Sequence, residues 1–333
     1  MTMTPYFIAL LPVALFLCVL ILMDSFKLVH PSELAFVLVG GALAALLSAA
    51  IAPWVKMTGA DQLINTRLLS PAIEEVIKGA VIVVILSSRW VGFPVDAAIQ
   101  GFATGAGFAL VENIIYVHAR PDAPASLWIV RGFGTAILHG AATALFAMIA
   151  LRLTAKRGAK SPVAYLPAIA AAIALHAGFN STVIPPFVQM LILLIIVPLL
   201  LVFVFEWSER ATREWVGAGL DLDVELLDLV TSDAFEVTHF ARYLNELRAR
   251  FPGPVVADMF CLLRLQLELS AQAKGKLIAR AAGLELAVDS DTRAALDEFQ
   301  YLRRSIGRTG LLALKPLSVT SDRDHWHSHL LGR

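Results

Sequence analysis

The sequence predicts an all-α protein: a polytopic membrane bundle of about seven transmembrane helices, followed by a C-terminal soluble α-helical domain. Of its 333 residues, 58% are hydrophobic and only 16% are charged, and the mean hydropathy is +0.72. Because soluble domains are about half apolar, this composition is typical of an integral membrane protein. Lysine plus arginine equals aspartate plus glutamate at 27 each, so the charge gives no sign of a nucleic-acid partner, and we expect none.

Seven apolar stretches approach the roughly 20 residues that cross a bilayer. They cover about residues 5–23, 33–52, 69–88, 94–118, 130–151, 162–183 and 186–207. Prolines occur between most of them, as is typical of connections between helices. The first stretch follows no basic segment and has no small-residue cleavage site, so we interpret it as a retained helix.

The distribution of lysine and arginine predicts the orientation, because cytoplasmic loops are enriched in both. With the N terminus outside, eight basic residues lie in cytoplasmic segments and four in outer loops. The four outer residues are Lys56, Arg67, Arg120 and Arg131, and the strongest cytoplasmic signal is the loop RLTAKRGAK at 152–160. We therefore expect a multi-pass protein of a bacterial-type inner (plasma) membrane, with its N terminus outside and its C terminus in the cytoplasm.

Four spans contain ionisable or amide side chains that a lipid-facing helix rarely carries. These are Glu74, Glu75 and Lys78 in the third span, Glu112 and Asn113 in the fourth, His139 in the fifth, and His176 and Asn180 in the sixth. In a bundle of alternating helices they all fall in the same leaflet, whichever end of the chain is outside. The shared depth predicts one polar site, and the orientation places it toward the outer face.

Each of these motifs also has a structural interpretation. Glu74 and Glu75 both lie within helical reach of Lys78, so the three could form a self-neutralising ion cluster. A lone glutamate or histidine in a helix is often only a hydrogen-bonded core residue. The common depth of the four motifs favours a functional site over four separate structural features.

The predicted site has a formal charge imbalance. Three carboxylates, one lysine and two neutral histidines leave two negative charges in excess. A proton held on one glutamate relieves this, and so does a divalent cation bound by glutamate and histidine. Either arrangement yields a base that can activate water, while Asn180 and a histidine could donate hydrogen bonds to a developing oxyanion.

These residues, in this order, resemble the PrsW family of intramembrane proteases, within a larger group that includes the CAAX prenyl endopeptidases and the Aph subunit of γ-secretase. Four motifs on consecutive spans carry the resemblance over about residues 70–182: EEVIK at 74–78, FALVE at 108–112, His139, and HAGFN at 176–180. In the related prenyl endopeptidases the second motif usually ends in histidine, whereas here it ends in Glu112.

The resemblance implies hydrolysis of peptide bonds in membrane-anchored proteins, including site-1 cleavage of an anti-sigma factor in a stress response. The catalytic residues it implies are Glu74, Glu75, Glu112, His139, His176 and Asn180, supported by Lys78, Phe108 and Asn113. We prefer a metal-independent glutamate mechanism with no cofactor. If a divalent metal such as zinc is present, its expected ligands are Glu74, Glu112, His139 and His176. The expected partners are a single-pass membrane protein as substrate and the lipid bilayer.

The division into domains follows the change in composition after Trp207. We predict a transmembrane bundle at 1–207, a cytoplasmic helical domain at 208–314 and a flexible tail at 315–333. The helical domain shows apolar residues at three-and-four spacing, and it could mediate homo-oligomer formation. Cys18 and Cys261 are too few for a disulfide framework, and we assign no site to the histidines at 325, 327 and 329.

Two other functions remain open from the sequence. The protein could be a non-enzymatic assembly scaffold, in which the polar cluster only holds helices together. It could also be a proton-coupled transporter, since buried glutamate, histidine and lysine also form proton relays. Transporters often contain internal repeats and paired interrupted helices, and the sequence shows neither clearly.

Overall fold

The fold is entirely helical in the part of the chain that the computed structural model describes. The described residues are 3–24, 29–57, 59, 61–88, 90–157, 161–181, 183–284, 290–317 and 331. No strand occurs among them. The chain divides into two compact units, Met1–Glu209 and Arg210–Arg333.

Nine α-helices begin in the described part of the first unit. They are α1 (Thr4–Met23), α2 (Pro31–Met57), α3 (Gln62–Ile64), α4 (Ser70–Ser87), α5 (Pro94–Ala119), α6 (Ala125–Val130), α7 (Ala136–Arg157), α8 (Leu166–Asn180) and α9 (Pro186–Thr231). Two π-helical turns, Asn65–Leu69 and Arg131–Thr135, lead directly into α4 and α7. Proline is the first residue of α2, α5 and α9, where its missing N–H costs nothing.

Among the described residues, six helices are long and apolar enough to cross a membrane, and the protein is a multi-pass membrane protein. They are α1, α2, α5, the continuous segment Ala125–Ala155, the segment Pro162–Asn180, and α9. The helix expected as the third span is α4, which places three charged residues within its 18 residues. The predicted all-α membrane bundle is confirmed.

Helix α9 does not end where the apolar stretch ends. It continues as one 46-residue helix to Thr231, which includes Gly217 and Gly219. A glycine inside a helix costs about 1 kcal/mol relative to alanine. The good helix formers around these two glycines outweigh that cost.

Helix α5 is the centre of the first unit, and glycines on its surface permit its close packing. A Cβ atom at Gly105 would overlap the backbone carbonyl of His139 on α7, and one at Gly107 would overlap that of Leu38 on α2. From the α2 side, a Cβ at Gly41 would overlap the carbonyl of Thr104. Small residues allow this backbone approach between membrane helices, and here it sets the separation of α5 from the helix that carries His139.

The second unit contains α10 (His239–Leu247), α11 (Gly253–Ala281) and α12 (Ser290–Leu314) beside the end of α9. Its core includes Met259, Leu269 and Leu277, all fully buried. A buried ion pair of 2.6 Å joins Lys274 on α11 to Asp223 on α9. Its cytoplasmic location and its role in homo-oligomers stay predictions.

The tail predicted to be flexible begins with a short 3₁₀ turn, Lys315–Leu317. Residues 318–330, with the three histidines, lie outside the described part of the chain, as do 332 and 333. The predicted flexibility of this segment is therefore not addressed by the structure.

The packing of α5 yields a stability prediction. We expect Gly105→Ala to lower the free energy of unfolding by about 1–3 kcal/mol, the usual range for overpacking, because α5 and α7 must move apart. Gly178→Ala on α8 is the matched control, since its Cβ would meet nothing within 4 Å. Thermal unfolding of both variants in nanodiscs measures the difference, and equal midpoints would contradict this account of the packing.

Candidate active site

The polar residues of four helices meet in one hydrogen-bonded network inside the bundle. The first half of it is on α4 and α8. Lys78 donates to Glu75 Oε1 at 2.5 Å, and His176 Nδ1 donates to the same oxygen at 2.7 Å. Glu75 therefore accepts from both a cation and a histidine through a single atom.

The second half of the network has the same form and involves α5 and α7. Glu112 Oε2 accepts from Arg131 Nη2 at 2.8 Å and from His139 Nε2 at 3.1 Å. The two halves join where Lys78 Nζ approaches His139 Nδ1 at 3.1 Å. Each half thus consists of one carboxylate, one cation and one histidine.

The hydrogen-bond partners define the tautomer of His139. An ammonium group can only donate, so His139 Nδ1 must accept the bond from Lys78. The proton of the neutral ring then lies on Nε2 and is donated to Glu112. In His176 the proton is on Nδ1, facing Glu75, and Nε2 lies 3.8 Å from Glu74 Oε2.

Glu74 differs from the other two carboxylates. Its Oε2 is buried and has no hydrogen-bond partner among the described residues. The separation from His176 Nε2 is too long for a direct hydrogen bond. Glu74 is less enclosed than Glu75, because 16% of its side chain is exposed, against 1% for Glu75.

Phe108 forms one wall of the network. Its ring lies 4.8 Å from the His139 ring and 4.9 Å from Lys78 Nζ, measured to the ring centre. Phe108 and Glu112 are four residues apart on α5, and both contact His139, as helical spacing predicts. The aromatic face partly offsets the cost of burying the ammonium group.

Arg131 is the residue that the sequence analysis misplaced. We counted it as an outer-loop charge, but it is buried in the π-helical turn before α7, with 8% of its surface exposed. With Arg131 included, three carboxylates face two fixed cations, so the formal excess is one negative charge rather than two. Its position two helical turns before His139 was the signal available in the sequence.

Asn113 and Asn180, which the sequence analysis also expected at the site, have different contacts from each other. Asn113 lies beside the network: its Oδ1 accepts from Arg131 Nε at 2.9 Å, and its Nδ2 donates to the Ala9 carbonyl on α1 at 2.8 Å. Asn180 shares a helix with His176, is half-buried and donates to the Thr66 carbonyl at 3.2 Å. This bond joins α8 to the π-helical turn before α4, and the expected role of Asn180 toward an oxyanion stays a prediction.

Three of the four expected metal ligands lie close together. Donor atoms of Glu74, His139 and His176 fall within 4.8 Å of one another, whereas Glu112 is not in this group. Carboxylate and imidazole ligands suit zinc, so the donor types fit a divalent metal. His139 could join such a site only by giving up its hydrogen bond to Lys78 or to Glu112.

Comparison with known families agrees with this geometry. A family model described as "PrsW family intramembrane metalloprotease" matches residues 30–205, which is more than half of the chain. The chain belongs to the PrsW family. The matched region includes all the residues of the network and ends before the second unit. No curated protein and no solved structure matches the chain. PrsW membership supports intramembrane peptidase activity, while the catalytic roles of the individual residues stay predictions.

The burial of Lys78 predicts different effects for the two adjacent glutamates. Lys78 is 0% exposed, so Glu75→Gln leaves its charge unpaired, and we expect a loss of about 3–5 kcal/mol in unfolding free energy. Glu74→Gln breaks no ion pair with Lys78 and should unfold within about 1 kcal/mol of the wild type. Chemical denaturation in detergent micelles measures both changes.

A double variant provides the control for that comparison. Glu75→Gln combined with Lys78→Met removes both charges and should recover much of the lost stability, because a buried ion pair is often replaceable by apolar groups. If Glu75→Gln proved as stable as Glu74→Gln, the ion pair would not be the structural element that we describe.

Proposed function

We propose that this PrsW protein is an endopeptidase that cleaves single-pass membrane proteins within or beside the bilayer, using water activated by Glu74. The observation that supports this most directly is the unpartnered Oε2 of Glu74 next to His176 Nε2. Buried polar groups are normally hydrogen-bonded. A buried carboxylate oxygen without a partner, in a polar cluster and on a partly exposed side chain, is suited to hold a reactive water.

We give Glu74 and Glu75 different roles, because their partners in the network differ. Glu75 is occupied by Lys78 and His176, so it has little capacity to accept a proton without breaking an ion pair. Glu74 carries the one formal charge that the two cations do not balance. We therefore take Glu74 as the general base and Glu75 as the residue that orients His176.

The reaction follows from these roles. A water molecule donates one hydrogen bond to Glu74 and the other to the Nε2 lone pair of His176, and its oxygen attacks the substrate carbonyl carbon. Glu74 takes the proton from this water and then returns it to the leaving amide nitrogen as the carbon–nitrogen bond breaks. The products are a carboxylic acid, which then loses its proton to the amine or to solvent, and an amine, and no cofactor is consumed.

A divalent metal would alter the role of Glu74. When bound, such an ion would polarise the carbonyl and favour ionisation of water, with Glu74 and His176 holding it and His139 as a third ligand. We favour the metal-independent route because both ring nitrogens of His139 already have partners, one of them the Lys78 ammonium group.

The substrate that fits the family resemblance is a membrane-anchored anti-sigma factor, cleaved on the extracytoplasmic side. The network lies near the N-terminal end of α4. With the N terminus of the chain outside, as predicted, this end of α4 is in the outer leaflet, so the cut is expected on the extracytoplasmic side. A cut there would be a site-1 cleavage that begins a stress response.

The role of Glu74 predicts the result of a cleavage assay. In proteoliposomes with single-pass reporter proteins, we expect Glu74→Gln to reduce kcat by about 10²–10⁴-fold, the usual contribution of a general base. Asp122→Asn is the control, because Asp122 is an exposed carboxylate in the connection between α5 and α6 and should leave the rate unchanged. Cleavage by neither wild type nor control, with both folded, would favour the assembly scaffold instead.

The role of a metal is tested separately. We expect a chelator to leave the cleavage rate within about twofold of the untreated rate and the purified protein to contain no stoichiometric zinc, because a metal would have to compete with Lys78 for His139. Metal content is measured by mass spectrometry. Loss of activity with the chelator and recovery with zinc would assign the metal route, with Glu74, His139 and His176 as ligands.

A further inference from the structure

The π-helical turn before α7 is held in place from two sides. Its Gly132 packs so closely against α1 that a Cβ atom would overlap the Ile8 carbonyl. Its first residue, Arg131, stacks on Tyr116 with the guanidinium carbon 3.6 Å from the ring centre. π-helical turns occur often at functional sites, and this one carries a buried charge into the candidate active site.

The guanidinium group of Arg131 binds two acceptors on α5 at once. Nη2 donates to the Glu112 carboxylate and Nε donates to the Asn113 side-chain oxygen. Asn113 in turn donates to the Ala9 carbonyl, so α1, α5 and the turn before α7 are joined through one side chain. The bond to Asn113 holds the planar guanidinium in place, so its bond to Glu112 has a defined direction, which a point charge would not give.

The orientation of Glu112 controls that of His139. Glu112 Oε2 accepts the Nε2 proton of His139, which leaves Nδ1 to accept from Lys78. If His139 carried its proton on Nδ1 instead, that proton would face the Lys78 ammonium group. Lys78 would then lose His139 as an acceptor. The position of the ammonium group would no longer be held by α7, and this would weaken its bond to Glu75, the carboxylate that also binds His176.

We propose that Arg131 is a positioning residue of the active site, which holds Glu112 as the acceptor for His139 and thereby maintains the tautomer that the rest of the network requires. It does not touch substrate. Its effect on cleavage depends on the proposed peptidase function, whereas its effect on the His139 tautomer does not.

The test compares Arg131→Gln with Arg120→Gln. Arg120 is also close to the ring of Tyr116, at 5.8 Å, but it is exposed and outside the network. We expect Arg131→Gln to lower kcat about 10- to 100-fold with little change in KM, as is typical for groups that orient site histidines. Arg120→Gln should match the wild type.

A double variant and a spectroscopic measurement separate positioning from a general structural effect. If Arg131 acts through Glu112, Arg131→Gln adds no further loss in kcat to Glu112→Gln. Nitrogen-15 NMR of histidine-labelled protein in nanodiscs, with His139→Asn for assignment, should show a single Nε2–H tautomer in the wild type and a mixture in Arg131→Gln. Arg131→Lys keeps the charge but lacks the two directed N–H groups of the guanidinium. Its kcat and its tautomer ratio should lie between those of the wild type and Arg131→Gln.

The outcomes are distinct. Losses that multiply in the double variant, an unchanged tautomer, or equal rates for Arg131→Gln and Arg120→Gln would overturn the proposal. If Arg131→Gln does not fold, Arg131→Lys supports the same comparison with Glu112→Gln. If the wild type cleaves no reporter, the proposed function fails, and the tautomer measurement still decides the role of Arg131.

Discussion

The buried ammonium group of Lys78 is the constraint on which the rest of the site depends. A charge inside a membrane helix is tolerated only when it faces partners within the bundle, and Lys78 is completely buried. Glu75 supplies the countercharge, His139 the second acceptor and Phe108 an aromatic face. These partners come from three helices, so α4, α5 and α7 must come together for the charge to be accommodated.

The glycines of α5 make that meeting geometrically feasible. Lys78 on α4 reaches across to His139 on α7. In the same region the backbones of α5 and α7 approach more closely than side chains usually allow. Gly105 lies directly against the His139 carbonyl, so the glycine that permits the contact is opposite the histidine that the site needs. The close packing of α5 against α7 therefore also positions the polar side chain of His139.

Much of this arrangement was predictable from the sequence because it follows from helical period and membrane depth. The predicted third and fourth spans end within a residue or two of α4 and α5, and residues at the same depth on different helices do meet. Arg131 was missed because it lies at the edge of an apolar stretch, where a basic residue is normally a loop charge. Only the π-helical turn, which the sequence pattern does not reveal, carries it inward. The orientation of Asn180 was likewise a matter of tertiary contacts, since helical spacing alone places it beside His176.

The neighbouring glutamates of the first motif illustrate why adjacent residues of one type can serve different purposes. Both glutamates are within helical reach of Lys78, yet one of the pair directs its carboxylate into the ion pair with Lys78. Glu75 does so and is almost completely buried. Glu74 instead has an oxygen that lacks a partner among the described residues. The fold needs Glu75 because it needs Lys78, whereas nothing in the packing requires a charge at Glu74. A carboxylate that costs free energy to bury and contributes no ion pair to Lys78 supports the role of general base that we propose for Glu74.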